Sequence, residues 1–396
     1  MEPGRAAHSG PSPAWLRSRM VEELVRRGEV TTDAVEAAFL RVPRHLFVPD
    51  VPAAIAYRDE AIAAKVEDGE WVSSSSQPAI MAIMLEQLAV RPGHRVLEIG
   101  AGTGYNSALL AALTAPGGSV VTLDIDDDLV EAARAHLAAA GVSGVAVVRA
   151  DGAWGHAAGA PYDRIIVTVG ASDVSPAWVD QLVAGGRLVL PLSLRGVQQS
   201  VCLEDRGGHL SSVSVVDCGF MPLRGSMAGP ERRVALPGFP GAHLLVPDAR
   251  PVDAGAVAAF LGRPTGLAFT GVAEVPAPAL ASLARWVALR EPGGARLWSV
   301  GRRELVEAND LPALFEWVSP SQCQRSTTVV LGHRGLAALV RDGPWAGGGS
   351  GWREAAAGTV AVAGYGSPAG PVADLVGAVR AWDRAGRPGT GELAIT

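Results

Sequence analysis

The sequence predicts an α/β protein, a doubly wound and mostly parallel sheet with a helical segment before it and a smaller α+β domain after it. Three observations predict this. Between residues 91 and 191, short apolar runs alternate with stretches of helical periodicity, the pattern of successive βαβ units. The first apolar run ends in a turn, Gly100-Ala101-Gly102-Thr103-Gly104, that opens a helix; a glycine loop is informative in that position. Finally, the 396 residues are more than one compact core usually serves.

Taken in order, residues 1–13 are rich in Gly, Pro and Ser and are expected to be loose. From Pro13 to Arg27 the apolar residues Trp15, Leu16, Met20, Leu24 and Val25 recur at helical spacing. A second helix is expected over 32–40, capped by Thr31 or Thr32 and ended by Val42-Pro43. Strands then follow at 95–99, 119–123, 145–148, 164–169 and 187–191, separated by helices at 105–113, 127–140 and 178–183. Residues 199–204 and 210–217 read as a closing hairpin. The Gly/Pro/Arg-rich texture near 225–240 is aperiodic. The expected division is therefore a catalytic domain over 1–225, a linker over 226–245 and a C-terminal accessory domain for substrate recognition over 246–396. In that last part, 279–289 and 371–384 read as helices, 327–331 as a strand, and 344–351 as a glycine-rich loop carrying Trp345. Of Trp298, Trp317, Trp345, Trp352 and Trp382, most are expected in core packing; Trp345 and Trp352 flank the glycine-rich loop and suit contact with a peptide ring.

A net charge of -6 with 19% charged residues gives no electrostatic footprint for nucleic acid or an anionic membrane. Cys202, Cys218 and Cys323 form no CxxC pair and are odd in number, which fits reduced thiols. The eight His residues show no HxH or HExxH pattern, and His45, His156 and His333 read as structural or surface groups, so no metal is expected. No apolar run follows the N-terminal charges, and none approaches the ~20 residues of a membrane span. A cytoplasmic, monomeric protein is expected.

The chemistry concentrates at strand ends. Glu98 precedes the glycine loop, where a carboxylate repels pyrophosphate but suits a cationic amino-acid ligand. The spacing Gly100-x-Gly102-x-Gly104 is tighter than the dinucleotide fingerprint. Asp124, ending the second strand, is placed to accept ribose hydroxyls, and Asp151-Gly152 falls where an adenine edge would sit. Together these point to S-adenosylmethionine, with S-adenosylhomocysteine as product. Gln77, Asn106 and Ile125, adjacent to these positions, complete the expected cofactor contacts. For the acceptor, a carboxylate is already ionised near neutral pH, so such an enzyme works by positioning, with few general bases. The run Ser73-Ser74-Ser75-Ser76-Gln77-Pro78 precedes an apolar helix. Ser76, with Ser75 and Ser74 and free N–H groups at the helix start, suits a carboxylate; an N-cap in a serine loop suits the residues equally.

The stretch from about Met20 to Gly225 resembles the protein L-isoaspartate O-methyltransferase family. The resemblance rests on Val42-Pro43-Arg44 with Phe47-Val48-Pro49, on Ala56-Tyr57-Arg58-Asp59 and on Ser76-Gln77-Pro78. It continues through Val96 to Tyr105, Asp151-Gly152, Pro161-Tyr162-Asp163, Gln181-Leu182, Gly185-Gly186-Arg187-Leu188 and Phe220-Met221-Pro222-Leu223. It implies a Rossmann-like class I S-adenosylmethionine-dependent methyltransferase, with Ser76 orienting the substrate carboxylate. It also implies that Glu98, the glycine loop, Asp124 and Asp151-Gly152 bind the cofactor.

Three features depart from the family's repair enzymes. Ala79 stands where a His or Tyr is common, the serine run is longer, and the chain continues well past Leu223. These look like a specialised branch acting on ribosomally made modified peptides, such as lanthipeptides and graspetides. That resemblance implies a modified precursor peptide as partner and methylation of one of its aspartates, then closure to a succinimide and hydrolysis to isoaspartate. The alternatives are a repair methyltransferase with an accessory domain and a non-catalytic peptide-binding module. A nucleic-acid methyltransferase is disfavoured by the charge and by the lack of an Asn/Asp-Pro-Pro-aromatic motif.

Overall fold

The structure, a computed structural model, describes residues 10–67, 70–273, 275–318, 323–342, 351–352, 359–390 and 393–395. The chain forms two compact units, one of Met1–Leu192, Gln199–Gly229 and Ala394–Thr396, the other of Ser193–Gln198 and Pro230–Leu393.

The first unit opens with helix α1 (Pro13–Arg27). Ser12 Oγ accepts the Trp15 N–H at 3.2 Å, Pro13 occupies the first turn, and Gly28 at φ +77° ends the helix by donating to Leu24 and Val25 carbonyls. Met20, Val21 and Leu24 form its buried stripe. Helix α2 (Asp33–Arg41) is capped by Thr32, and a 3₁₀ turn, Arg44–Phe47, leads to the short α3 (Ala53–Ala56). A hairpin of β1 (Ile62–Glu67) and β2 (Glu70–Ser75) precedes α4 (Pro78–Leu88).

The main sheet follows: β3 (Arg95–Ile99), α5 (Tyr105–Thr114), β4 (Ser119–Asp124), α6 (Asp127–Ala139), β5 (Val145–Arg149), β6 (Tyr162–Val167), α7 (Pro176–Asp180), β7 (Leu182–Leu194), β8 (Val197–Asp205) and β9 (Leu210–Cys218). Its order is β5-β4-β3-β6-β7-β8-β9, and β3 pairs in parallel with both β4 and β6. The chain therefore winds outward from β3 in both directions, and the crevice at the carboxyl ends of β3, β4 and β6 is where such sheets take ligands. Leu85, Leu88, Val96, Tyr105 and Leu109 are among the residues of the core under α4 and α5.

Several boundaries differ from the sequence reading, among them the strand expected over 187–191, which spans Leu182–Leu194, and the one expected over 327–331, which spans Cys323–Gly332. The helix expected over 178–183 is α7, begun earlier by the Ser175 cap and Pro176 and ended at Asp180, after which Val183 already belongs to β7. The fourth strand starts at Tyr162, two residues early.

In the second unit, the segment 226–245 read as a linker contains β10 (Arg232–Ala235) and most of β11 (Ala242–Val246), which pair antiparallel. The Gly and Pro residues between them serve a tight turn closed by Ala242 N–H to Phe239 O at 3.0 Å. Then come α8 (Ala254–Leu261), β12 (Pro264–Phe269), α9 (Ala277–Arg290), β13 (Gly294–Gly301), α10 (Arg303–Ala308), β14 (Phe315–Val318), β15 (Cys323–Gly332), β16 (Gly335–Asp342), β17 (Gly351–Trp352), β18 (Thr359–Gly366) and α11 (Ala369–Arg384). The main path of this sheet is β10-β11-β13-β15-β16-β18-β12, and among the described residues every strand pairing in it is antiparallel. Helices α9 and α11 pack on one core with Leu283, Val362 and Trp382; Leu244, Leu297 and Val329 belong to another. Trp382 is fully buried and donates to Ser282 Oγ at 2.7 Å. Trp298 lies under the Arg233 guanidinium, 4.6 Å from the ring centre. Trp317 and Trp352 are register partners of β14 and β17, and Trp345 lies outside the described residues. The chain end returns to the first unit, where Ile395 and Ser212 exchange hydrogen bonds. Among the described residues, no helix is long and apolar enough to cross a membrane, and no His/Cys/Asp/Glu cluster is placed to hold a metal.

Candidate active site

Parallel pairing of β3 with β4 and β6 brings three strand ends to one edge, and the glycine loop turns there. Gly100 and Gly102 take φ of +102° and +50°, conformations that glycine adopts without strain. A Cβ on Gly100 would stand 2.6 Å from Thr168 Oγ1, and one on Gly152 would meet Ile99 Cγ2 at 2.4 Å. Gly102 faces the serine strand: its Cβ would lie 3.4 Å from the Ser74 carbonyl oxygen. Between these walls lies a cleft of about 950 Å3, open to solvent.

The cleft gathers Gly100, Gly102 and Asn106 from the loop and α5, then Asp124 and Ile125 from the end of β4, and Gly152 after β5. Ser74, Ser75 and Ser76 line the facing wall with Val72 and Ser73. Gln77, Glu98, Gly104 and Asp151 do not line it. Glu98 is fully buried behind the loop, where Asn106 Nδ2 donates to it at 2.8 Å and Ser107 Oγ also donates. Burial lifts its pKa to about 6 against those hydrogen bonds. Its carboxylate fixes Asn106, which faces the cleft in its place. Asp124 accepts the Gly102 N–H at 2.9 Å and holds the loop shut, and burial raises its pKa. Gly104 packs on Ala133 of α6.

Asp151 is committed elsewhere. It caps a 3₁₀ turn through Ala153 N–H at 3.0 Å and accepts from both N–H and Oγ of Ser226, at 2.8 and 2.7 Å. The expected free helix start behind Ser76 is also taken. Asp59 accepts the Ala79 N–H at 2.9 Å and the Gln77 side-chain amide at 3.0 Å, and Arg27 binds the same carboxylate at 2.5 Å. Residues 73–75 are strand, not loop, and the N-cap position is Gln77. Ser76 therefore offers the cleft its hydroxyl and not the α4 N-terminus. Ala79 is buried and absent from the cleft wall, so its small side chain opens no room there.

Sequence reasoning assigned no role to several residues on this edge. Residues 220–224 line the cleft because Gly170 N–H and the Leu223 N–H tie that segment to the end of β6, each at 2.7 Å. Arg224 binds Asp126 at 2.7 Å, and Lys65 of β1 binds the same carboxylate at 3.0 Å, fastening the serine hairpin beside α6. The motif Phe220-Met221-Pro222-Leu223 was the available signal for the first of these; no local signal marks Lys65.

The donors fit a cationic amino-acid nucleoside. The Asp124 carboxylate and the Asn106 amide line the cleft, and among the described residues its one lining guanidinium, Arg224, is already bound to Asp126. A pyrophosphate would meet uncompensated negative charge. Asn106 with the glycine-loop amides would hold the amino-acid end, and Asp124 with Ile125 the nucleoside.

The comparisons agree with this chemistry. The family model for protein-L-isoaspartate(D-aspartate) O-methyltransferase matches residues 16–228. A protein-L-isoaspartate O-methyltransferase of Hyperthermus butylicus is 40% identical over 223 residues, covering 53% of this chain and 90% of its own. One from Methanoculleus marisnigri is 41% identical over 209 residues, covering 53% and 91%. A solved structure of a protein-L-isoaspartate O-methyltransferase matches 96% of this chain and 95% of its own at 21% identity, with a TM-score of 0.52, a likeness of fold. The chain thus carries the class I methyltransferase fold, and its donor is S-adenosylmethionine. On the family model and the curated relatives together, this chain belongs to the protein-L-isoaspartate(D-aspartate) O-methyltransferase family of carboxyl methyltransferases.

Proposed function

We propose that the chain esterifies an aspartyl-type carboxylate carried by a peptide or protein, with L-isoaspartate, the residue in its relatives' names, as the first acceptor to consider. The observation that carries this is the lining of the cleft. Among the described residues it presents serine hydroxyls and the Asn106 amide, with Asp124 as its one carboxylate and no His or Lys. An amine or alcohol acceptor would need a base there, whereas a carboxylate arrives ionised. The acceptor oxygen takes the methyl carbon as the carbon–sulfur bond breaks and its electron pair stays on sulfur. No proton moves. In this reading Ser76, with Ser74 and Ser75, orients the acceptor, and the chain's own contribution is alignment.

A second reading is an aspartate in a ribosomally made, cyclised peptide, its ester then closing to a succinimide. Two observations favour it: the serine strand along the acceptor wall, and a second unit, Pro230–Leu393, beyond the 16–228 region shared with the family. A chain of this extent suits the first reading as well, since a fold likeness to a protein-L-isoaspartate O-methyltransferase runs over 96% of it. Methylation of a linear aspartyl peptide, an isoaspartyl peptide and a crosslinked precursor separates the readings. Transfer to the isoaspartyl peptide alone supports the first, transfer to the crosslinked aspartate alone supports the second, and transfer to none removes both.

A further inference from the structure

Arg44 stands on the 3₁₀ turn before α3 and is 0% exposed. Its Nε donates to the Ala56 carbonyl at 2.8 Å, and Nη2 reaches the Ser75 and Glu60 carbonyls at 3.4 Å each. Nη1 faces Met81 Sδ at 3.8 Å, and the Tyr105 ring centre is 5.0 Å from the guanidinium carbon. These groups satisfy donors, but none is an anion. A guanidinium stays protonated in proteins, so the fold buries a whole positive charge with no anion in hydrogen-bond contact and only the field of Asp59, a carboxylate already bound by Arg27, Gln77 and Ala79, an arrangement that is costly unless something completes it.

What would complete it is indicated by the neighbours. Ser75, Met81 and Tyr105 all line the cleft. The hydroxyls of Ser75 and Tyr105 are buried and make no hydrogen bond. A single layer of side chains thus separates the charge from the cleft, and that layer carries two idle donors.

We propose that Arg44 is a positioning residue that makes this end of the cleft select an ionised acceptor, with the Ser75 and Tyr105 hydroxyls donating to the carboxylate. The proposal rests on the carboxylate-acceptor reading above and deepens it. Methyl transfer removes the acceptor's negative charge, so attraction to Arg44 is strongest in the bound substrate, weaker in the transition state and absent for the neutral ester. Arg44 therefore contributes to binding and to product release, and not to the rate of the chemical step. Across one side-chain layer, at the effective dielectric of protein sites, the preference for acid over ester is roughly tenfold to hundredfold.

The experiment uses the full chain, S-adenosylmethionine and whichever peptide of the three is methylated. The methyl ester of that peptide serves as a neutral ligand. Arg44→Met is expected to raise the peptide KM by roughly tenfold or more, with kcat held or raised. Ester affinity and S-adenosylhomocysteine affinity should be unmoved, and Arg44→Lys should recover most of the KM. A fall in kcat at constant KM, or equal weakening of acid and ester, overturns the proposal, since a purely structural role moves both ligands alike. Should Arg44→Met fail to fold, the wild type and Ser75→Ala decide. Wild type must bind acid over ester by roughly tenfold, and Ser75→Ala must narrow that gap; equal binding by wild type overturns the proposal alone. If wild type methylates none of the peptides, the carboxylate reading fails and takes this proposal with it.

Discussion

In the second unit, Arg325 meets the buried Glu316 carboxylate at 2.8 Å. In the first unit, Arg44, Glu98 and Asp124 are all buried, and among the described residues none of them makes an ion pair, Arg44 lying only within the field of Asp59. The two regions bury charge in different ways. Paired charges neutralise each other and serve the antiparallel sheet that holds them. Unpaired charges beside a cleft leave a field for a ligand to complete, and perturbed groups of that kind gather at functional sites. The glycines divide similarly. Those at the ends of β3 and β5 sit against neighbours with no room for a methyl group, whereas Gly377 in α11 faces open space.

The largest test of this contrast is Gly100→Val. A branched side chain at φ +102° is strained, and its Cβ would meet Thr168 Oγ1 at 2.6 Å. S-adenosylhomocysteine affinity, measured by calorimetry, is expected to fall by roughly a hundredfold or more, with the circular dichroism of the fold kept. Unchanged affinity would mean that the loop is not the cofactor wall.

Glu98 gives the next effect. Its folded pKa is raised from 4.5 to about 6 by burial. The folded state therefore holds an extra proton between those values, and stability is highest below pH 4.5 and is lost as pH rises through 6. The loss is about 2 kcal/mol, from 1.4 kcal/mol per pKa unit. Urea unfolding across pH 4.5 to 7 should show this slope, and Glu98→Gln should flatten it. A slope of opposite sign would mean that the carboxylate is compensated in the free protein. Binding of a cationic ligand opposes the same cost, so cofactor affinity should weaken as Glu98 takes up its proton.

Ser76→Ala is expected to lower kcat/KM by roughly tenfold, the worth of one hydroxyl donor to a charged group, while S-adenosylhomocysteine binding stays the same. Loss of cofactor affinity instead would shift Ser76 to the other wall of the cleft.

How far the sequence reveals this arrangement depends on the range of the interactions. Residues 95–99 and the loop after them were legible because a strand, a turn and a helix are set by neighbours in the chain, and α1 matched its expected bounds because its caps are local. Asp59 capping α4 from 20 residues away, and Ser226 capturing Asp151 from 75 residues away, leave no such trace. Arg44 sat in a motif, but its burial depends on carbonyls of three later segments, at Ala56, Glu60 and Ser75. The second unit was hardest to read. Its sheet closes by pairing β12 with β18, Leu267 against Ala363 for example, so each strand's partner lies far along the chain and turn-rich hairpins such as β10–β11 resemble linker.

The smallest prediction reverses the sign of the first. Gly377 lies inside α11, is exposed, and a Cβ there would meet nothing within 4 Å. Its effect is then mainly on the unfolded chain, where glycine has more freedom to lose than alanine. Gly377→Ala should stabilise α11 by about 0.5–1 kcal/mol, read as slower hydrogen exchange of its amides, and leave S-adenosylhomocysteine affinity and methyl transfer unaltered. The same kind of substitution, a side chain added to glycine, would thus remove ligand binding at one place and firm a helix at another. The difference lies in what surrounds each glycine, a loop pressed against Thr168 or a helix surface facing solvent. If Gly377→Ala instead changed cofactor affinity, the division between a chemical unit and a supporting one would not hold at the level of single residues.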